Sequence, residues 1–477
     1  RLGDARACDH LSVTMQTHQG SIAVAAGGCG AIASLGGIDT YSYRLGEAGS
    51  CEAVVEAIRR HSSSELVAKK GLLASLKLAL SPSNNPWLGR TGACEAVLQA
   101  LSRHPDSPVV VSLGLEAVGN LANDEGNRAR LGAAGACSDI VMYMQRLRDA
   151  EVVIQQGCRA VARLAIGQDN VINLAHVCAC EAVITAMKQH ESKGAVAHQG
   201  CNAVKELARH PGNQRRLRDA GACETVVRAI QIHKDSIGVC RQASAAIHIL
   251  AQKEKNNAIL GQFNACENLC STLKLHMFNS AVVECVAAAI CSMSSLIDHN
   301  RSLLGTYGAC ELITQALKTH SEVEGVVEWS IGAVTNLCTN CPHNITRLSN
   351  MHTYDALVQS YMKHCTNIYI SEIFCSAVQR LSHNTAARNQ LGTPACKAVV
   401  KAMQLHEKYE SVVHYGCAAV ASLCADVHEG NQTRLGMLGA CRCVVLAMQK
   451  YSHKAGLLED CRLAISNLSY NHDNNKQ

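Results

Sequence analysis

Gly92-Ala93-Cys94-Glu95-Ala96-Val97, Gly221-Ala222-Cys223-Glu224-Thr225-Val226 and Gly308-Ala309-Cys310-Glu311-Leu312-Ile313 are three copies of one phrase. Aligning the chain on the cysteine of that phrase places Cys51, Cys94, Cys137, Cys180, Cys223 and Cys266 at a constant spacing of 43 residues, with Cys8 another 43 before the first. The register continues with small slips through Cys310, Tyr354, Cys396 and Cys441. About eleven copies in 477 residues leave little room for any other fold, so the usual reading of such a length as several globular domains does not apply.

Within one copy, Asn127 to Leu131 reads as a short amphipathic helix that stops at Gly132 or Gly135, and a second helix starts near Cys137. In the preceding copy the second helix sets Cys94, Val97, Leu98 and Leu101 at spacings of three and four, which makes one apolar face. Ten residues after the anchor comes His18, His61, His104, His190, His233, His276, His320, His364 or His406. A turn rich in Ser, Pro, Asp or Gly then leads to a third helix, such as Val109 to Ala122 or Val152 to Ala165.

A short helix followed by two longer ones in roughly 42 residues resembles the armadillo repeat. Asn127…Leu131-Gly132-Ala133-Ala134-Gly135-Ala136 and Val118-Gly119-Asn120-Leu121-Ala122 look like that family's two signature stretches, and the resemblance covers essentially all of 1–477. It implies an all-α fold: a right-handed α-solenoid (armadillo-like superhelix) of about eleven tandem repeats of ~43 residues, read as one domain over 1–477. No single copy can bury its apolar stripes alone, so neighbours must stack into one core. Arg1-Leu2-Gly3 and Asn474 to Gln477 both fall inside the pattern. Solenoids close their ends with polar-faced caps, so the expectation is a longer native chain or a partner over those ends.

Composition narrows the function class. Hydrophobic residues make up 48%, yet there are only three Phe and two Trp, so the core must be built from Ala, Val, Leu, Ile and Cys. With 44 basic and 39 acidic residues the net charge is +5, which gives no general pull toward nucleic acid or an anionic membrane. The 26 cysteines mostly recur at fixed repeat positions, which favours reduced, buried thiols and a cytoplasmic compartment over a disulfide framework. The uncharged stretch between His10 and Asp39 contains six glycines and keeps the repeat register, so no membrane insertion is expected.

The recurring polar residues have structural readings. Asp9, Glu52, Glu95, Glu181, Glu224, Glu267, Glu311 and Asp355 follow the anchor position, where a negative charge complements a helix N-terminus. The recurring His lies near the C-terminus of the second helix, where it can bond free carbonyls. Ten helical residues separate it from the anchor Cys by about 15 Å, too far for a shared zinc. Cys338-Thr339-Asn340-Cys341-Pro342-His343 offers three ligand types but no fourth, and Cys338 also fits a core position. No phosphate loop, carboxylate pair or nucleophile set stands apart from the repeat, so no enzyme, cofactor or metal site is expected.

The armadillo resemblance implies a concave groove lined by third helices, in which an Asn near each helix end bonds an extended peptide. Asn120, Asn336 and Asn467 occupy that place, whereas other copies carry residues such as Lys77, Arg163, Glu206 and Arg380. The Trp that importin-like members carry four residues earlier is replaced by residues such as Glu116 and Gly332, which sets the chain apart from that subgroup. Trp329 stands seven residues before Asn336, as an exposed anchor or a core side chain. The same count picks out Gln156, Gln199 and Gln242, beside Arg159 and Asn202, as backbone-binding groups or a solvated face. One position earlier stand Glu284, Glu328 and Glu372, whereas early repeats carry Lys69, Lys70, Lys77, Arg159 and Arg163. The reading that follows is a non-catalytic scaffold or adaptor for partner proteins or extended peptides. A helical-repeat RNA binder is the alternative, disfavoured by the modest charge and the few aromatics.

Overall fold

The structure, a computed structural model, describes residues 6–425, 429–470 and 472–476, apart from the side chains of Asp39 and Glu429. Arg1-Leu2-Gly3 and Gln477 lie outside the described residues. Among the described residues there are 32 helices and no strand. The chain forms two compact units, 1–246 and 247–477.

In the first unit the second helices are Ala7–Thr17, Ser50–Arg60, Ala93–Arg103, Ala136–Arg146, Ala179–Gln189 and Ala222–Ile232. In the second unit Ala265–Leu275, Ala309–Thr319, Thr353–Lys363 and Ala440–Lys450 play that part. A further copy lies in Thr385–Leu405, where first and second helices run together through Gly392 at φ 42.

The residue before each second helix turns the chain sharply. Gly49, Gly92, Gly135, Gly221, Gly308 and Gly439 adopt φ between 78 and 91, the left-handed region that glycine enters without steric cost. Cys178, Asn264 and His352 take the same conformation elsewhere. Gly135 is therefore the breaker, whereas Gly132 is not: it lies inside the helix Glu125–Ala133. A Cβ on Gly132 would fall 1.7 Å from Oδ1 of Asn170 in the next repeat. Gly46, Gly89, Gly261, Gly305 and Gly436 stand in the same relation to Asn84, Asn127, Asn300, Asn344 and Asn475.

These asparagines tie repeat to repeat. Asn84 Nδ2 donates to the Ser42 carbonyl at 2.7 Å, Asn127 to Asn85 at 2.6 Å, Asn170 to Arg128 at 2.8 Å and Asn300 to Asn257 at 2.9 Å. Each satisfies a buried carbonyl that would otherwise be costly. The anchor cysteines fill the space beside them: Cys94 Sγ lies 3.8 Å from the Asn127 carbonyl and Cys266 Sγ 3.7 Å from that of Asn300. None of the 26 cysteines is in a disulfide.

The histidines form a second set of ties. Each caps its own second helix, as expected, but the rings of His61, His104, His190, His233, His320, His364 and His406 reach the turn of the preceding repeat rather than their own carbonyls. His104 Nε2 donates to Ser62 at 2.9 Å, His233 to Glu191 at 2.8 Å, His320 to Met277 at 2.7 Å and His406 to Cys365 at 2.8 Å. Where the last repeat carries Tyr451, its hydroxyl donates to Glu407 at 3.2 Å.

Third helices run one residue earlier than the sequence suggests, as Pro108–Leu121 and Glu151–Leu164 show. Ser64 and Ser107 cap two of them by accepting from Val67 and Val110 at 3.4 Å, which satisfies a free first-turn N–H. Within each unit the third helices pack chiefly against the third helix of the next repeat, which leaves one row of side chains per helical turn on a shared face. Among the described residues no single helix is long and apolar enough to cross a membrane. The apolar pair Gln168–His176 and Ala179–Gln189, bent by 71°, is the first and second helix of one repeat.

Candidate partner-binding faces

In the first unit the groove-row residues are held by one another. Asn120 is 1% exposed; its Nδ2 donates to the Leu76 carbonyl at 3.1 Å and its Oδ1 accepts from Arg159 at 2.6 Å. Arg159 also reaches Glu116 at 3.4 Å. Both polar ends of Asn120 thus have partners within the chain, and Arg159 is partly neutralised. Gln242 is buried and its Oε1 accepts from Lys205 at 3.3 Å, while Lys205 pairs with Glu206 at 2.9 Å. Gln156 is buried with its Oε1 unbonded, and Arg163, Gln199 and Asn202 are half-buried. Lys69 pairs with Glu65 at 2.8 Å. Of the basic stripe read from the sequence, Lys69 and Arg159 are therefore offset by Glu65 and Glu116.

Exposed apolar side chains form a separate row. Leu66, Val109 and Val152 occupy the second residue of three consecutive third helices and are 53%, 51% and 56% exposed. On the third helix Gly194–Ala208, burial, then Arg241 and Lys205, holds the His198 ring below the usual imidazole range.

In the second unit the acids stand differently. Glu328 is raised above the usual carboxylate range by burial first, then by the charges of Glu324 and Glu284. Tyr369, half exposed, is raised by burial and then by Glu328, Cys291 and Glu372. Glu284 thus acts on Glu328, and Glu328 and Glu372 both act on Tyr369. Among the described residues no cation is paired with any of the three. The Glu284 carboxylate lies over Gly325, where a Cβ would come within 2.6 Å of Cδ.

Trp329 is neither a free anchor nor a core side chain. It is half-buried, and its ring meets His248 edge-on at 4.8 Å and 68°. His248 is itself held, with Nδ1 2.7 Å from Ser292 Oγ. Asn336 Nδ2 donates to the Cys291 carbonyl at 2.9 Å, and Asn467 Nδ2 does the same to Ala421 at 2.9 Å. All three signature asparagines thus bond the end of the preceding third helix. Burial pushes the Cys291 thiol up to about 12, although Asn336 opposes this.

Cys338 and Cys341 are buried at 3% and 8% exposure, in the helix end and turn before Pro342–Asn350. Among the described residues no three His, Cys, Asp or Glu side chains are grouped to hold a metal ion. Tyr369, Glu324 and His248 were not singled out from the sequence, although counting eight residues forward from Tyr361 in register with Leu66 reaches Tyr369.

No family model matches the chain, and no curated protein matches it. Solved structures do. An engineered protein aligns over 97% of this chain and 98% of its own at 16% identity and a TM-score of 0.66. A structure concerning a phosphorylation switch in the interaction between cadherin and β-catenin aligns over 97% and 94% at 13% identity and a TM-score of 0.70. A designed armadillo repeat protein matches 51% of this chain at 19% identity and a TM-score of 0.45. The chain has the all-α armadillo-repeat solenoid fold.

Proposed function

From the armadillo fold, we propose that the chain is a non-catalytic scaffold or adaptor that binds partner proteins or extended peptides along its third-helix faces, acting as one binding domain over 1–477. The observation that carries this is the repetition of like residues at equivalent third-helix positions: the exposed apolar row Leu66, Val109 and Val152 in one unit, and the half-buried acidic row Glu284, Glu328 and Glu372 in the other. Neither row serves the core, because the buried Asn and His ties already join the repeats. Exposed apolar residues in register with their neighbours favour a partner over plain solvation. A structural neighbour concerned with a protein–protein interaction fits the same partner class.

Thiols that form no disulfide fit a reducing, cytoplasmic setting. The experiment is affinity capture of the full chain from its native source, with cross-linking and mass spectrometry. Cross-links from partner proteins to third-helix residues support the reading. Cross-links confined to second helices, or RNA as the dominant bound species, overturn it.

A further inference from the structure

We propose that Cys417 and Cys461 form a dithiol that a peroxide oxidises to a disulfide, a modification that joins the third helices Glu410–Leu423 and Ala455–Ser469 of the second unit covalently. The two sulfur atoms lie 3.5 Å apart, and both side chains are fully buried. A disulfide bond is about 2.05 Å long, so the sulfurs need to close by only about 1.5 Å. Two ties already hold the helices at this level. Before both cysteines in sequence, His414 Nε2 lies 2.8 Å from Asp460 Oδ2; after both, Asn467 Nδ2 donates to the Ala421 carbonyl at 2.9 Å. Ala418, Ala421 and Ala464 are buried on the same helices, and such small side chains let helices approach closely.

The two thiols differ chemically. Burial raises the third-helix cysteines Cys29, Cys158, Cys201 and Cys375 above the ordinary thiol range, and Cys417 is raised by its bond to Cys461 and then by burial. Cys461 is held below that range, because a hydrogen bond from the Cys417 thiol stabilises its thiolate against burial and the Asp460 charge. Cys461 is therefore the nucleophile and Cys417 the resolving thiol. The Cys461 thiolate attacks one oxygen of hydrogen peroxide; the O–O bond breaks, a sulfenic acid forms, and the departing hydroxide takes up the proton that Cys461 had released. Cys417 then attacks that sulfur, the S–O bond breaks as the S–S bond forms, and the Cys417 proton leaves with the displaced hydroxide as water. Two thiols and one peroxide become one disulfide and two waters.

Peroxide also has a way in. A cavity of about 740 Å³ beside Glu410–Leu423 is lined by Val413, one turn before Cys417, and by Cys443, whose charge bears on Cys417. That space admits a molecule scarcely larger than water. Leu463 and Ile465 are 51% and 36% exposed, so Ala455–Ser469 has an uncovered side and opens at lower cost than a helix packed all round.

The test treats the reduced full chain with hydrogen peroxide, blocks the remaining thiols with iodoacetamide in denaturant, and maps tryptic peptides without reduction. Peptide 455–462, whose one cysteine is Cys461, should appear linked to peptide 409–434, which holds Cys417 and Cys424, before any other cysteine pair is linked. Cys424→Ala should keep the link, whereas Cys417→Ala should abolish it and leave Cys461 as a sulfenic acid that dimedone traps. In the oxidised parent, amides of both helices should exchange at least about tenfold more slowly than in the reduced form, and dithiothreitol should restore the faster rate. A parent chain in which Cys178 is oxidised while 455–462 carries no link overturns the proposal, as does a link that survives Cys417→Ala. Unchanged exchange in the linked chain overturns the joining of the helices. Mapping and exchange are both read on the parent chain, so they decide the matter even where a variant fails to fold.

Discussion

His61 Nε2 lies 2.8 Å from the carbonyl oxygen of Gln19, the residue that follows the equivalent histidine, His18, one repeat earlier. The same step recurs from His190 to Arg148 at 2.7 Å and from His364 to Ser321 at 2.9 Å. A helix-capping residue therefore also sets the distance between neighbouring turns. Replacing His104 with Ala is expected to cost about 1 kcal/mol, the net value of one hydrogen bond. Hydrogen exchange should show the loss in the two repeats that the ring joins and little elsewhere, because solenoid stability is close to nearest-neighbour. Uniform loss along the chain would refute the local role.

Gly132 and Gly126 lie in one short helix and should respond oppositely to Ala. A Cβ on Gly126 meets only Asp124 Oδ1, at 3.2 Å, whereas one on Gly132 falls 1.7 Å from Asn170 Oδ1. Gly126→Ala should be neutral or stabilising by up to about 1 kcal/mol through helix propensity. Gly132→Ala should destabilise by about 2 kcal/mol or more, since Asn170 must leave its bond to Arg128. Thermal melts of the two variants decide the matter, and equal effects would rule out the close Asn approach.

Burial pushes the thiols of Cys51, Cys94, Cys223 and Cys310 up to about 12, so almost no thiolate exists at neutral pH. In the folded chain the exposed Cys178 should alkylate first at about pH 8, and these anchors only after denaturant is added. Mass analysis of alkylated, unreduced protein that revealed anchor-to-anchor disulfides would contradict both the packing and the proposed reducing compartment.

Glu328 links stability to acidity. Its folded-state value is raised by burial, by Glu324 on its own helix and by Glu284 on the preceding one; Tyr369 and Glu372 face it from the following helix. A raised carboxyl holds its proton more tightly folded than unfolded, so protonation stabilises the fold and deprotonation costs stability as pH rises through the folded value. Glu328→Gln should therefore melt higher than the parent at neutral pH, with the difference vanishing below about pH 4, where the unfolded carboxyl is protonated too. An unchanged difference across that range would show that the charge is not the cause.

The repeat and its helices were legible because a buried position tolerates few residue types, and Cys at a spacing of 43 advertises each copy. The ties between copies were not. Gly132 reads as a helix breaker in a single sequence, and only the position of Asn170 shows why a glycine stands inside the helix. For the binding faces, counting from the Asn position brought Glu284, Glu328 and Glu372 onto one strip. In the basic stripe, by contrast, Arg159 is paired with Glu116 of the preceding third helix, a side-chain contact across helices that leaves no trace in spacing.

The Asn ties have a bearing on how such a chain changes length. Asn127 reaches back to Asn85 and Asn170 to Arg128, each an interval of 42 residues, and the glycine that receives the next Asn is carried in the same stretch. Excising one whole period presents the next asparagine with an equivalent carbonyl and an equivalent glycine, wherever the cut is made. Excising half a period leaves a buried amide facing a side chain instead. Genetic duplication and deletion can thus add or remove reach only in steps of one repeat, and the bonds that hold the stack are also what keeps those steps whole.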